Sequence, residues 1–205
     1  MKFAADIDID FADREAVLKL IKHTPASIHR NGEWTKHNTG VYVNPIPADP
    51  FTGLSNIDYQ SAEEMGYIKI DLLNVHVYSM IKDEAHLNSL IAQEPNWDLL
   101  NDRAFVEKLI HIGNHYDLIN RMPDPITSIP RMAMFLSIIR PAKRHLIGLQ
   151  WREVAKTIWD KPTDKSYFFK KSHAVSYAQL VAVNMNLLTE ATNQLNNSTF
   201  SSLIS

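Results

Sequence analysis

Cysteine is absent from this sequence, which excludes disulfide bonds and metal sites built from thiolates. No apolar run approaches the roughly 18 residues of a membrane-spanning helix, and the first residues lack the pattern of a secretory signal peptide. Hydrophobic residues nevertheless make up 45% of the 205 residues, which is typical of a globular protein with a buried core. We therefore expect a cytoplasmic protein with no membrane partner.

The net charge of −2 favours no class of partner, but the charges are unevenly distributed. Residues 1–128 contain 19 acidic and 11 basic side chains, whereas residues 129–205 contain 4 and 10. This asymmetry is the one expected if the first part binds cations and the second binds phosphates. A coincidental bias is the alternative.

The beginning of the chain carries an acidic strand pattern. Residues 6–10 read Asp-Ile-Asp-Ile-Asp, the alternation of a half-buried β-strand, so Asp6, Asp8 and Asp10 project from one face. Like charges on one face weaken a strand, and a hard divalent cation such as Mg²⁺ relieves them by taking carboxylate oxygens as ligands. The alternative is an edge strand with a solvated acidic face.

A second strand pattern places Asp71 in an apolar context. Residues 66–73 are mostly apolar, which predicts a central strand. A buried carboxylate without a partner costs several kcal/mol or becomes protonated. Asp71 therefore needs a partner, and either a metal ion or Lys69, in a structural salt bridge, meets that need.

Hydrophobic spacing and chain breakers predict the other elements. The predicted helices span residues 16–22, 132–139, 151–159 and 172–188. Turns are predicted over residues 29–40, followed by a short strand over residues 41–43.

Four further segments combine basic, aromatic and small residues. They are residues 36–41 (Lys-His-Asn-Thr-Gly-Val), 67–73 (Tyr-Ile-Lys-Ile-Asp-Leu-Leu), 137–141 (Ser-Ile-Ile-Arg-Pro) and 167–178 (Tyr-Phe-Phe-Lys-Lys-Ser-His-Ala-Val-Ser-Tyr-Ala). Together with the acidic strand, and in this order, they resemble motifs of the bacterial C-family replicative polymerases, the DNA polymerase III alpha subunits. Ala5 stands where the family has proline, and Ala142-Lys143 replaces its Gly-Pro.

The resemblance implies an α+β fold, with a polymerase-beta-like nucleotidyltransferase palm and a small, mostly helical fingers region. The implied parts are a palm-like segment over residues 1–75, a fingers-like segment over residues 76–192 and a flexible tail over residues 193–205. The implied activity is template-directed DNA synthesis, in which two Mg²⁺ ions support nucleotidyl transfer from a dNTP to a primer 3′-hydroxyl.

The resemblance also assigns roles to individual residues. Asp8, Asp10 and Asp71 would be catalytic and would bind the two Mg²⁺ ions, with Asp6 in support. It also implies side chains that bind the nucleotide by facing the triphosphate or the primer terminus. These are Lys69, Arg140, Lys171, His173, Lys36 and His37. For each of these cations the alternative is a solvated surface charge.

The implied partners are primer-template DNA and dNTP. The family's palm carries a Gly-Ser helix upstream of the acidic strand, and only five residues precede Asp6. We therefore expect another protein chain to supply missing polymerase elements. Two alternatives are a catalytically weak DNA-binding or replisome-interaction protein derived from the same core, and a metal-dependent hydrolase built on the acidic strand.

Overall fold

A computed structural model describes residues 7–163 and 167–204, and for residues 195–204 only the backbone. The fold is α+β, as the sequence predicts, with a small mixed sheet and several helices. The chain divides into two compact units, Met1–Met80 and Ile81–Ser205. The sequence places this boundary five residues earlier, before a short 3₁₀ helix over His76–Met80 that belongs to the first unit.

The first unit contains a four-stranded sheet with the order β1-β4-β3-β2. Its strands are β1 (Ile7–Phe11), β2 (Thr24–Arg30), β3 (Glu33–Tyr42) and β4 (Ile70–Asn74). Strands β1 and β4 are parallel, whereas β2 with β3 and β3 with β4 are antiparallel. The central position of β4 accounts for its apolar sequence, because neighbouring strands flank it on both sides.

Two short helices cover this sheet. Helix α1 (Arg14–Leu20) begins where the Asp13 carboxylate accepts a hydrogen bond from the Ala16 amide at 3.1 Å. Helix α2 (Tyr59–Glu64) begins in the same way after Asp58. The buried side chains form two small clusters, Leu18 with Val41 and Leu72, and Ala26 with Tyr42, Ile46 and Ala62.

The prediction of turns over residues 29–40 is wrong, because these residues complete a β-hairpin. Arg30 pairs with Glu33 across the two-residue turn Asn31-Gly32, whose φ angles of 53° and 82° lie in the left-handed region. Asn-Gly is the preferred sequence of such a turn because both residues tolerate positive φ. The polar residues that suggested turns line an exposed hairpin, and the predicted strand at 41–43 is the end of the ten-residue β3.

The second unit is helical in its described part. Its α-helices are α3 (Glu84–Ala92), α4 (Arg103–Val106), α5 (Tyr116–Ile119), α6 (Ile129–Ile138), α7 (Trp151–Thr157) and α8 (Lys171–Ile204), with 3₁₀ helices over Trp97–Asn101 and Pro141–Leu146. Helices α6 and α8 pack on each other, and Phe135, Leu136, Ala178 and Met185 are among the buried residues of this core.

Helix α8 continues to Ile204, whereas the sequence predicts that it ends near residue 188 and that a tail follows. Neither glycine nor proline occurs after Pro162, so no strong helix breaker interrupts the segment. Serine and asparagine favour loops only weakly, and here they continue the helix. Among the helices of the described residues, none has the length and apolar character needed to cross a membrane.

Candidate functional site

The three predicted carboxylates lie on one face of the sheet. Asp8 of β1 is the register partner of Asp71 of β4. Directly paired residues of adjacent strands project to the same face, and so do alternate residues of one strand, which adds Asp10. Asp6, the fourth predicted acid, lies outside the described residues.

Partial burial and the neighbouring Asp8 charge disfavour the ionised form of Asp10. Burial raises the pKa of Asp10, the neighbouring Asp8 charge raises it further, and a hydrogen bond from the Tyr78 hydroxyl lowers it. Burial and the nearby Asp10 charge in turn raise the pKa of Tyr78. The acidic face therefore carries unfavourable electrostatic energy at neutral pH, which a bound cation would reduce.

Asp71 has protein partners for both of its oxygens. The Lys69 ammonium forms an ion pair with Oδ2, and the Thr39 hydroxyl donates to Oδ1 at 2.7 Å. The Asp71 side chain is only 16% exposed, so these contacts supply the pairing that its burial requires. The sequence offers Asp71 two partners, a metal ion and Lys69, and the structure shows the contact with Lys69.

Across residues 7–163 and 167–204, no three histidine or acidic side chains are grouped so as to hold a metal ion. Asp8, Asp10 and Asp71 share a face, but the Asp71 carboxylate is engaged by Lys69. The two-Mg²⁺ site therefore stays a prediction, and it requires Lys69 to move away from Asp71.

His37 lies beside this ion pair as a neutral ring. Its Nδ1 atom accepts hydrogen bonds from the Gly40 amide at 2.9 Å and the Thr39 amide at 3.3 Å. Burial and the Lys69 charge lower the pKa of His37, while the Asp71 charge opposes them. Since Nδ1 already accepts two N–H groups, its 3.8 Å approach to Asp71 Oδ1 is not an ion pair. Because Nδ1 is an acceptor, the single ring proton of neutral His37 is assigned to Nε2.

Gly40 makes room for the Lys69 side chain. A Cβ atom at Gly40 would lie 2.7 Å from Lys69 Cδ and 3.0 Å from His37 Nδ1. Gly40 is also the register partner of Asp71 on β3, so the glycine lets the lysine stem cross the strand toward the carboxylate. Lys36 is exposed nearby on β3 and makes no ion pair with the described residues.

The other predicted cations belong to the second unit. The Arg140 guanidinium lies over the Phe169 ring at 4.9 Å, and the His173 ring meets the same phenylalanine edge-on at 6.2 Å. Lys171 is the exposed first residue of α8. The structure therefore brings Arg140 and His173 together on one aromatic ring.

Two histidines that the sequence analysis did not single out accompany Arg140. Burial and the Arg140 charge lower the pKa of His111 to about 4, and burial with the Arg144 and Arg140 charges lowers the pKa of His115. His111 also has a left-handed backbone with φ of 64°. Only the fold brings these rings to the arginines, and no spacing in the sequence indicates it.

Replacing Asp10 with asparagine should stabilise the protein at neutral pH. A raised pKa means that folding is favoured most below the ordinary value of 3.8 and loses that contribution as pH rises through the folded pKa. Asparagine carries no charge and keeps an oxygen acceptor for Tyr78. We expect a higher free energy of unfolding than wild type at pH 7, measured by urea titration, and no difference at pH 3.

The control for this measurement is Glu64→Gln, which neutralises an exposed carboxylate at the end of α2 in the same unit. It should leave stability almost unchanged at both pH values. Destabilisation of the protein by Asp10→Asn at pH 7 would contradict the electrostatic interpretation of the acidic face.

Comparison with protein-family models, with curated proteins and with solved structures found no match for this chain.

Proposed function

We propose that this chain is a template-directed DNA polymerase of minimal or split form, built on a polymerase-beta-like palm. The observation that supports it best is the register of Asp8 with Asp71 on adjacent strands, with Asp10 on the same face. Such a face costs stability, and bound cations would offset that cost. The resemblance to the C-family replicative polymerases supplies the reaction class.

In this proposal Asp8, Asp10 and Asp71 hold two Mg²⁺ ions. Bound ions would lower the pKa of the primer 3′-hydroxyl and neutralise charge on the departing pyrophosphate. The 3′-hydroxyl would give up its proton to solvent and its oxygen would bond to the α-phosphorus of the dNTP. The bond from that phosphorus to the bridging oxygen would break, and pyrophosphate would leave with the electron pair. The carboxylates thus fix the position of the reacting groups.

Lys69 has two successive partners in this scheme. Without a divalent cation its ammonium neutralises Asp71, as the ion pair shows. With a divalent cation on the Asp71 oxygens, the ammonium would be available to the triphosphate, which is a strong partner for a lysine point charge. The resemblance also assigns Arg140, Lys171 and His173 to contacts with the triphosphate or the primer terminus.

A second candidate function is DNA or replisome binding without catalysis. The contacts of Asp71 favour it, because Lys69 and Thr39 satisfy this carboxylate in the absence of any metal. A descendant that had lost catalysis could keep this salt bridge as a structural element.

Primer extension separates the two functions. Purified protein, alone and together with the products of neighbouring genes, is incubated with Mg²⁺, dNTPs and a primed template. The polymerase proposal expects Mg²⁺-dependent extension that Asp8→Ala removes. Salt-dependent DNA binding without extension would favour the binding function instead. A protein-partner role would be left if neither appeared.

Replacing Lys69 with methionine should tighten metal binding. The ammonium competes with a divalent cation for Asp71, and its removal leaves a similar aliphatic stem over Gly40. We expect the dissociation constant for Mn²⁺, measured by calorimetry, to fall by about tenfold or more, since a close unit charge contributes several kcal/mol at this depth. The matched control is Lys22→Met at an exposed lysine of the same unit. Weaker Mn²⁺ binding in Lys69→Met would contradict the scheme.

A further inference from the structure

A cavity of about 330 Å³ lies beside the β2–β3 hairpin, and none of its lining residues is among those assigned to the acidic site. It is lined by Trp34, Asp49, Thr52, Leu54, Ser55 and Asn56. Its size and its mixture of one aromatic, one aliphatic and several polar side chains are typical of a small-ligand pocket. The proposed polymerase chemistry makes no use of it.

Trp34 provides the flat wall of this cavity. Its ring stacks on that of His29, its cross-strand partner, with centroids 4.6 Å apart and an interplanar angle of 24°. The tryptophan is still 49% exposed. An indole ring that packs on His29 and remains exposed to solvent can stack on another planar ring.

The rest of the lining comes from the loop over residues 49–56, which carries the acceptor group of Asp49. The Asp49 carboxylate accepts hydrogen bonds from the Thr52 amide at 2.7 Å and the Phe51 amide at 3.0 Å. These bonds, those of Thr52 first, lower the pKa of Asp49, which is therefore ionised. The Ser55 amide donates to the Pro25 carbonyl at 2.9 Å and fastens the loop to β2. A fixed carboxylate selects a ring that carries N–H groups and rejects a phosphate inside the cavity.

Lys36, which does not line the cavity, provides a positive charge near Trp34 that could contact the phosphate of a bound nucleotide. Lys36 is two residues from Trp34 on β3, in a regularly paired part of the hairpin, so both side chains project from one face. The two positions are about 7 Å apart along the strand. This spacing suits a base stacked on Trp34 whose phosphate contacts the Lys36 ammonium.

We propose that Trp34, Asp49 and Lys36 form a site for one unpaired base of a single-stranded nucleic acid. The base stacks on the indole, its N–H edge faces Asp49, and its backbone phosphate contacts Lys36. A base in a duplex has its N–H edge paired and both of its faces stacked, so it cannot enter. The site is separate from the acidic face, and it stands whether or not the chain is a polymerase.

The test is fluorescence anisotropy of a labelled eight-nucleotide single strand with the full chain. Trp34→Ala should weaken binding by about tenfold or more, the range expected for loss of a stacked base. Trp34→Phe, which keeps a ring, should lose less. The matched control is Phe51→Ala, which removes a 96% exposed aromatic side chain that does not line the cavity.

The proposal is overturned if the wild-type protein does not bind the single strand or if Trp34→Ala binds it with wild-type affinity. Equal weakening by Phe51→Ala, or equal binding of a fully paired duplex, would also overturn it. Competition by a free nucleoside monophosphate at the strand's own affinity would identify a mononucleotide site instead and would also overturn it. Strand binding is measured without Mg²⁺ and dNTPs, and primer extension needs both, so failure of this site is distinguishable from failure of the polymerase activity.

Discussion

Replacing Asp8 with asparagine is expected to lower the rate of Mg²⁺-dependent primer extension by about a thousandfold or more. Metal ions supply several kcal/mol of transition-state stabilisation, and each 1.4 kcal/mol or so corresponds to a tenfold change in rate. Asparagine keeps the shape of the side chain but removes the charge of the proposed metal ligand from β1. Asp71→Asn should have a similar effect, because Asp71 is the register partner of Asp8.

Single-turnover extension at saturating dNTP measures this effect directly. Glu64→Gln is the control, since it neutralises an exposed carboxylate of the same unit outside the sheet. The control should extend primers at the wild-type rate. If an active wild-type protein were equally active after Asp8→Asn, the carboxylates of β1 would not be the metal ligands.

Replacing Phe135 with alanine should reduce the stability of the second unit by about 3–5 kcal/mol. The Phe135 side chain on α6 is fully buried in the core that α6 forms with α8. The substitution removes the packing contacts of a large apolar side chain and leaves a cavity that the surrounding helices fill only partly.

Tryptophan emission during urea unfolding gives the measurement. Trp97 and Trp151 are buried in the same core as Phe135, so their emission reports on the second unit. The control Phe51→Ala removes a nearly fully exposed ring and should change stability by less than about 0.5 kcal/mol. Equal effects of the two substitutions would show that the α6–α8 core contributes little to stability.

The sequence predicts the acidic strand and the central strand because both patterns are local, although β4 begins at Ile70 and not at residue 66 as predicted. Alternation alone places Asp8 and Asp10 on one face. The register that sets Asp8 beside Asp71 is not local, since it depends on how β1 pairs with β4 across more than fifty intervening residues. The contact of Lys69 with Asp71 likewise depends on the space that Gly40 provides.

The hairpin and the last helix show where local patterns fail. Trp34 and its polar neighbours resemble a loop by composition, yet cross-strand pairing and the Asn31-Gly32 turn make them a hairpin. Residues 193–204 are polar, yet without glycine or proline they continue α8. The neutral His111 is the least predictable feature, because its environment comes from Arg140 on a distant segment.

The position of β1 in the sheet has a consequence for self-association. In the described part of the sheet β1 is an edge strand beside β4, and an edge strand is where another chain can add a strand. Ile7 and Ile9 are 38% and 40% exposed, which adds apolar surface to that edge. Asp8 and Asp10 place like charges on both copies of any edge-to-edge pair and so oppose it. The repulsion that weakens this strand within one molecule thus helps to keep separate molecules apart.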